Sequence, residues 1–379
     1  MAFSRRGFLR ALGTGMAMSA VPAMPTLSNA IPFEPARSRR PGSPILLNSN
    51  ENAYGPSRPV RETLQRALAN SSRYPVSNDA LVARLAELHH VSPESLLVGC
   101  GSTEMLRVLA AGLLGPGKMV ITASPTFEAI SEYANQLGGQ TVAVPLDHQY
   151  SHDLDAMLAK VNGTTALVYI CNPNNPTGSI TPRKSIDSFV AKLPPEVVVV
   201  VDEAYHHFAL RSSMYVSFLD QTLDDKRVVV LRTFSKAFGL AGLRVGYAVA
   251  SPDLTARFRP YVTDTGISEL GLQAALAALD DEAGLRLAVK RNADDRQEFF
   301  NQSMARMLKP IDSKTNFVMM DTHHPAAEAI EHFRANNVMV GRLFPAMNTC
   351  IRVSLGTPTE MIEFWRVWDM LPYSHGMKM

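Results

Sequence analysis

The run Val197-Val198-Val199-Val200-Val201-Asp202-Glu203-Ala204-Tyr205 decides the fold class. Five consecutive valines make a strand without a polar face, and such a strand belongs inside a sheet covered on both sides. The strand ends in an acid. In open parallel sheets ligands bind beyond the carboxyl ends of the strands, so Asp202 stands where a ligand would sit. A carboxylate buried there needs a cationic or protonated partner.

The next strand, Val228-Val229-Val230-Leu231-Arg232, runs into Thr233-Phe234-Ser235-Lys236-Ala237-Phe238-Gly239. A lone lysine follows two hydroxyls, among apolar and small residues that desolvate it and lower its pKa. That makes Lys236 a candidate nucleophile. Eight residues on, Arg244 can return to the same place, where its guanidinium and the hydroxyls of Thr233 and Ser235 would cradle a phosphate. Upstream, Val98-Gly99-Cys100-Gly101-Ser102-Thr103-Glu104 joins a short apolar run to an amphipathic helix whose free amides face an anion. It is not a dinucleotide fingerprint, because Glu104 holds the place of the third glycine. In Cys171-Asn172-Pro173-Asn174-Asn175-Pro176-Thr177-Gly178 two prolines lock a loop so that an Asn side chain points into the cleft; a purely structural turn is the other reading.

Strand-like runs at Met119–Thr122, Gln140–Val144, Ala166–Ile170 and Val245–Ala250 alternate with helical ones, which argues a mostly parallel sheet covered by helices. Gly271 to Met307 has a 3.6-residue apolar period and reads as one long or two joined helices. After it, Asn316–Met320, Val338–Gly341 and Cys350–Ser354 read as strands of a second, smaller α+β unit. The 379 residues, 46% apolar and 19% charged, are a globular composition sufficient for about two domains. A net charge of +2 leaves no electrostatic footprint for nucleic acid. Cys100, Cys171 and Cys350 are far apart, without zinc-ligand spacing, and no metal is expected. The adjacent pairs His89-His90, His206-His207 and His323-His324 read as surface or supporting residues.

The N-terminus has the build of an address. Arg5-Arg6-Gly7-Phe8-Leu9 precedes an apolar segment, Ala11 to Val21, and a small-residue site ending at Ala30. It resembles the twin-arginine export signal, which would engage that export machinery and deliver a folded chain to the periplasm; a cytoplasmic chain with a frayed N-terminal helix is the alternative. Cleavage there takes Arg5, Arg6 and Arg10 from the 37 basic residues and none of the 35 acids, leaving a net charge of −1. The segment is broken by prolines and glycines and is too short to span a membrane. Residues 31–44 read as a linker or arm.

Together these motifs resemble the fold-type I pyridoxal-phosphate aminotransferases from about Leu46 to the C-terminus. Asn50-Glu51-Asn52-Ala53-Tyr54-Gly55-Pro56, Arg73-Tyr74-Pro75, Pro125-Thr126-Phe127 and Arg352-Val353-Ser354-Leu355-Gly356-Thr357 look like its histidinol-phosphate aminotransferase branch. The resemblance implies an α/β fold: a three-layer large domain with a mostly parallel sheet at 77–270, and a smaller α+β domain from 45–76 and 271–379. It implies pyridoxal 5′-phosphate as cofactor and transfer of an amino group from an amino acid or amino alcohol phosphate to a 2-oxo acid. Lys236 matches the lysine that holds the cofactor and moves the substrate proton, Asp202 the acid at the pyridine nitrogen, and Asn175 and Tyr205 the pair at the ring oxygen. Ser102, Thr103, Ser235 and Arg244 match the phosphate cradle, with Thr233 beside them; Phe127 takes the place of the stacking aromatic, usually Tyr. Tyr74 matches a tyrosine that reaches the cofactor phosphate of a neighbouring subunit, which implies a homodimer.

For the substrate, Arg352 and Arg342 stand at the places of two arginines that grip its acid end, and Asn52 and Tyr54 where the N-terminal segment covers it. Ala53 replaces that motif's usual Pro. A decarboxylase, racemase or lyase of the same fold shares the cofactor residues and stays open. A ligand-sensing regulator would need a DNA-binding module for which the chain has no room. Histidine synthesis belongs in the cytoplasm, so an exported chain points to a different physiological donor.

Overall fold

The computed structural model describes residues 42–220 and 225–372. The expected export signal, residues 1–30, and the linker up to residue 41 lie outside the described residues. In chain order the strands are β1 Ile45–Leu47, β2 Leu96–Gly99, β3 Met119–Ser124, β4 Gln140–Pro145, β5 Thr165–Cys171, β6 Val198–Asp202, β7 Val228–Thr233, β8 Gly246–Val249, β9 Phe317–Asp321, β10 Val338–Val340 and β11 Cys350–Ser354.

Seven strands form one sheet in the order β2-β8-β7-β6-β5-β3-β4. Only β8 runs against its two neighbours; the other pairings are parallel. The valine run explains the centre. Val198 and Val200 point into one core with Tyr169, Val229 and Leu231, beneath the helix Ser102–Leu113. Val199 and Val201 point into the opposite core with Val168, Ile170, Val230 and Phe189. Period-two alternation with both faces apolar is what a helix-covered parallel sheet requires, and the expected mostly parallel α/β fold is the one found.

The register then builds the site. Asp202 lies opposite Cys171 of β5 and Leu231 of β7. Because the three strands run in parallel, the Asn172–Gly178 loop, Asp202 and the Thr233–Lys236 segment leave the sheet at one edge.

The long helical stretch is two helices, Glu269–Asp280 and Glu282–Ala305, separated at Asp281, whose side chain accepts from the Gly284 amide at 2.9 Å. Beyond them β11 pairs antiparallel with β9 and β1 pairs parallel with β10, over a core that includes Phe299, Phe333, Phe364, Trp365 and Trp368. The helix Pro358–Trp368 starts at a full capping box between Thr357 and Glu360. Among the described residues no helix is long and apolar enough to cross a membrane.

Candidate active site

A cleft of about 580 Å3 opens at the carboxyl edge of β5, β6 and β7. Asp202 closes its floor and is only 2% exposed. Its Oδ2 accepts from the Tyr169 hydroxyl at 2.8 Å and its Oδ1 from the Ala204 amide at 3.0 Å. Burial pushes its carboxyl up to about 6, against the pull of those hydrogen bonds and of Lys236. Both hydrogen-bond donors are neutral, so the carboxylate still lacks a cationic partner.

Lys236 is partly buried on the wall, with Nζ donating to the Asn50 carbonyl at 3.1 Å and lying 5.5 Å from the centre of the Tyr205 ring. Burial lowers its pKa to about 8; the charges of Arg352 and Arg244 push the same way, while Glu51 and Asp202 oppose. The Tyr205 hydroxyl accepts from Asn50 Nδ2 at 3.0 Å, and burial raises its pKa. Asn50 adopts a left-handed backbone, φ 54°, which presents its carbonyl to Lys236 and its side chain to Tyr205.

At one end of the cleft the helix Ser102–Leu113 begins without a side-chain cap, so its first amides have no partner from the chain's side chains. Glu104 turns back instead and accepts from the Cys100 amide at 2.5 Å, holding the Gly99–Gly101 loop from within. Arg244 Nη1 donates to Ser235 Oγ at 3.2 Å, and Thr233 Oγ1 donates to Ser235 Oγ at 3.0 Å. A Cβ on Gly101 would collide with the Arg244 guanidinium, so glycine is what lets that cation close over the helix start.

At the other end Arg352, on β11, donates Nη1 to Asn175 Oδ1 at 2.6 Å and Nη2 to the Asn48 carbonyl at 2.8 Å. Gly341 makes room for it: the Gly341 amide donates to the Arg352 carbonyl at 2.7 Å, where a Cβ would press on that residue's backbone and side chain. Phe127, Glu128, Arg342 and Phe344 complete this wall.

The cleft therefore brings together Lys236, Asp202, Tyr205, Asn175, Ser102, Thr103, Thr233, Ser235, Arg244, Phe127, Arg342 and Arg352. Asn52 and Tyr54 do not line it. Asn52 donates to the Ala237 carbonyl at 3.1 Å, behind the lysine loop, and the Tyr54 hydroxyl donates to the half-buried Asp295 at 2.9 Å, a charged acceptor that holds it away from the cleft. Tyr74 is 83% exposed and lies outside the chain's own cleft. Sequence reasoning passed over Tyr169, Asn50 and Glu128. It also passed over the Arg232–Glu203 ion pair, buried next to Asp202 and joined to Ser217. Of the histidines read as surface or supporting, His206 is buried; His206, His207 and His89 all feel Arg232, and burial keeps their pKa values low, near 3 for His89 and His207. Among the described residues no group of His, Cys, Asp and Glu could hold a metal ion.

These residues fit pyridoxal phosphate on three observations of the chain itself. A buried carboxylate faces neutral donors only, an uncapped helix start lies beside Arg244 and Ser235, and a lysine of lowered pKa stands between them.

Comparison with known proteins agrees. The family model for aminotransferases of class I and II matches residues 43–365. The histidinol-phosphate aminotransferase 2 of Carboxydothermus hydrogenoformans is 38% identical over 322 residues, 84% of this chain and 88% of that protein. The histidinol-phosphate aminotransferase of Bacillus subtilis is 35% identical over 322 residues, 84% and 89% of the two chains. The crystal structure of histidinol-phosphate aminotransferase from Sinorhizobium meliloti in complex with pyridoxal 5′-phosphate superposes with a TM-score of 0.80 at 28% identity, covering 93% of this chain and 99% of the other.

Proposed function

We propose that this chain, which belongs to the aminotransferases of class I and II and is a pyridoxal-phosphate-dependent transaminase, takes its amino group from a donor whose acid end is gripped by Arg352. The acceptor is a 2-oxo acid, and the two half-reactions use one cleft. The observation that carries this reading is the state of Arg352. Its fork stands in the wall of the Lys236 cleft and donates to two neutral groups, Asn175 Oδ1 and the Asn48 carbonyl, so its charge is left for a ligand. A planar guanidinium suits a carboxylate or a phosphate. Amino acids and amino alcohol phosphates both satisfy it, and the named relatives act on histidinol phosphate.

The bound cofactor supplies an electron sink for negative charge at the donor's Cα. Asp202 would hold the proton on the ring nitrogen, which would give the buried carboxylate its cationic partner. Asn175 and Tyr205 would bind the ring oxygen. The Ser102 and Thr103 end of the helix, Ser235 and Arg244, with Thr233 behind, would bind the phosphate, and Phe127 would offer its ring to the cofactor. Lys236 Nζ would hold the cofactor and would carry the proton at the donor's Cα; a pKa of about 8 leaves it able to take and return that proton near neutral pH.

The test is spectroscopic. Single amino donors, histidinol phosphate among them, are added to the cofactor-loaded protein without acceptor. A donor with an acid end is expected to convert the visible band to that of the amino form of the cofactor, and Arg352→Gln to weaken that donor. Equal conversion by donors lacking an acid group would remove the Arg352 reading. No conversion by any donor would direct attention to decarboxylation, racemisation or elimination.

A homodimer and export belong to the same reading. Tyr74, exposed and away from its own cleft, is free to complete the phosphate site of a second copy; light scattering of the mature chain should give twice its mass, and Tyr74→Phe should weaken cofactor binding. The Arg5-Arg6 motif and the Ala30 site support passage to the periplasm. Fractionation of the native host should find a chain beginning after Ala30 in the periplasm. Full-length chain in the cytoplasm alone would overturn export and restore histidinol phosphate as the first donor to consider.

A further inference from the structure

The two arginines of the substrate wall are not equally available. The Arg352 guanidinium meets only neutral acceptors. Arg342 instead forms an ion pair through Nη2 with the carboxylate of Glu128, the residue that directly follows Phe127, and its Nη1 donates to the Leu343 carbonyl at 3.0 Å. The Phe344 ring lies near both cations, 4.4 Å from the Arg342 guanidinium carbon and 5.3 Å from that of Arg352. One helical turn beyond Glu128, Glu132 lines the same cleft and adds a second negative charge.

The charge balance of this wall separates two kinds of acid end. A carboxylate is a monoanion and is matched by one guanidinium fork. A phosphate monoester, with its second pKa near 6, carries close to two charges at neutral pH and gains from a second cation. In this cleft the second cation is already paired, and a dianion approaching Arg342 meets the Glu128 carboxylate as well. Separating the pair to free Arg342 would leave Glu128 facing the incoming anion.

We propose that Glu128 is a specificity-determining residue: by holding Arg342 it reserves the acid-binding wall for monoanionic carboxylate donors and disfavours phosphate monoesters. The proposal rests on the reading that Arg352 receives the donor's acid end, and it narrows the substrate class to amino acids. Glu128 sets the charge that a ligand meets and touches no reacting atom, so it is a positioning residue for Arg342.

The experiment is anion binding, with no turnover involved. The cofactor-loaded wild type, Glu128→Gln and the double variant Glu128→Gln/Arg342→Gln are titrated with pentanoate and with butyl phosphate, followed by calorimetry and by the shift of the cofactor's visible band. Wild type is expected to bind pentanoate at least as tightly as butyl phosphate. Glu128→Gln should shift the ratio of the two affinities toward butyl phosphate by about tenfold, and the double variant should return it. An unchanged ratio in Glu128→Gln, or a wild type that prefers butyl phosphate and loses that preference in Glu128→Gln, would overturn the proposal. Pentanoate binding that survives Arg352→Gln unchanged would instead remove the underlying reading of Arg352, and a ratio that shifts in Glu128→Gln but stays shifted in the double variant would exclude Arg342 as the cation involved.

Discussion

The Tyr169 hydroxyl donates to Asp202 Oδ2 at 2.8 Å, across neighbouring strands β5 and β6, with both side chains inside the core. The tyrosine therefore helps to keep a deeply buried carboxylate ionised, together with the Ala204 amide and the charge of Lys236, since its hydrogen bond lowers a pKa that burial raises. Tyr169→Phe keeps the ring in the core and deletes only that donor. Asp202 is then expected to titrate above its present value of about 6, and the pH below which cofactor binding weakens should rise with it. The cost in stability should be about 1–3 kcal/mol, that of one buried acceptor left short of a partner. Cofactor titrations of the apoprotein from acid to neutral pH, on wild type and variant, check both.

Asp202→Asn should separate stability from function. A carboxyl whose folded pKa lies above its unfolded value contributes stability at pH below about 4, and that contribution is lost as pH rises through about 6. At neutral pH the ionised Asp202 of the apoprotein therefore costs on the order of 3 kcal/mol. The amide removes that cost, so the apo variant should melt above wild type at pH 7 and the difference should vanish near pH 4. Turnover should fall by orders of magnitude, because nothing then holds the ring-nitrogen proton. Equal melting temperatures at pH 7 would show that the carboxylate is solvated in the apoprotein.

Lys236 gives the opposite sign. Its folded pKa of about 8 lies below that of a free lysine, so its contribution to stability is present above about 10 and lost as pH falls through about 8. A tenth of it is neutral at pH 7, against about one part in several thousand for an ordinary lysine. The rate at which the apoprotein attaches pyridoxal phosphate should rise with pH and level off above about 8. Lys236→Ala should fold, keep some affinity for the cofactor through the phosphate cradle, and lose the visible band together with nearly all turnover. Normal turnover in that variant would sink the assignment.

The parts of the site that were legible in sequence are those set by a strand's end. Asp202, Lys236 and Asn175 each follow an apolar run too continuous to be anything but a buried strand, and parallel order brings those ends together. Arg244 was reachable from its distance to Lys236. Residues whose role depends on closing the chain over long separations were not. Asn50 reads as one polar residue among several, and acts only because its left-handed backbone meets Lys236, Tyr205 and Ser354 from 155 to 304 residues away. Tyr169 has the spacing of a core residue and is one, with a hydroxyl whose use depends on the register of β5 against β6. Glu128, just ahead of the helix Ala129–Gln136, and His206, at the start of the one-turn helix His206–Ala209, carry no sequence pattern that marks them, and their roles emerge only with their neighbours, Arg342 and Tyr215, in place. The three-residue β1 carries no period at all, and only its pairing with β10 makes it a strand.

Gly246 offers the sharpest test of the phosphate cradle, because a side chain added there would meet backbone first and not the side chains that would bind the phosphate. It opens β8, directly beneath the loop that starts the Ser102–Leu113 helix. A Cβ there would overlap the backbone of Gly101 and the Ser102 amide, and backbone cannot swing aside as a side chain does. Gly246→Ala must therefore move the helix start or the strand. If the helix start binds the phosphate, a displacement of a few tenths of an ångström lengthens several charge-assisted hydrogen bonds at once. Affinity for pyridoxal phosphate should drop at least about tenfold, while affinity for pyridoxal, which lacks the phosphate, should change little. Gly242→Ala, which meets open space, serves as the control for adding a methyl group nearby. Equal losses for the two ligands in Gly246→Ala would mean that the substitution damages the cleft as a whole, and an unchanged affinity for both would take the phosphate away from the helix start.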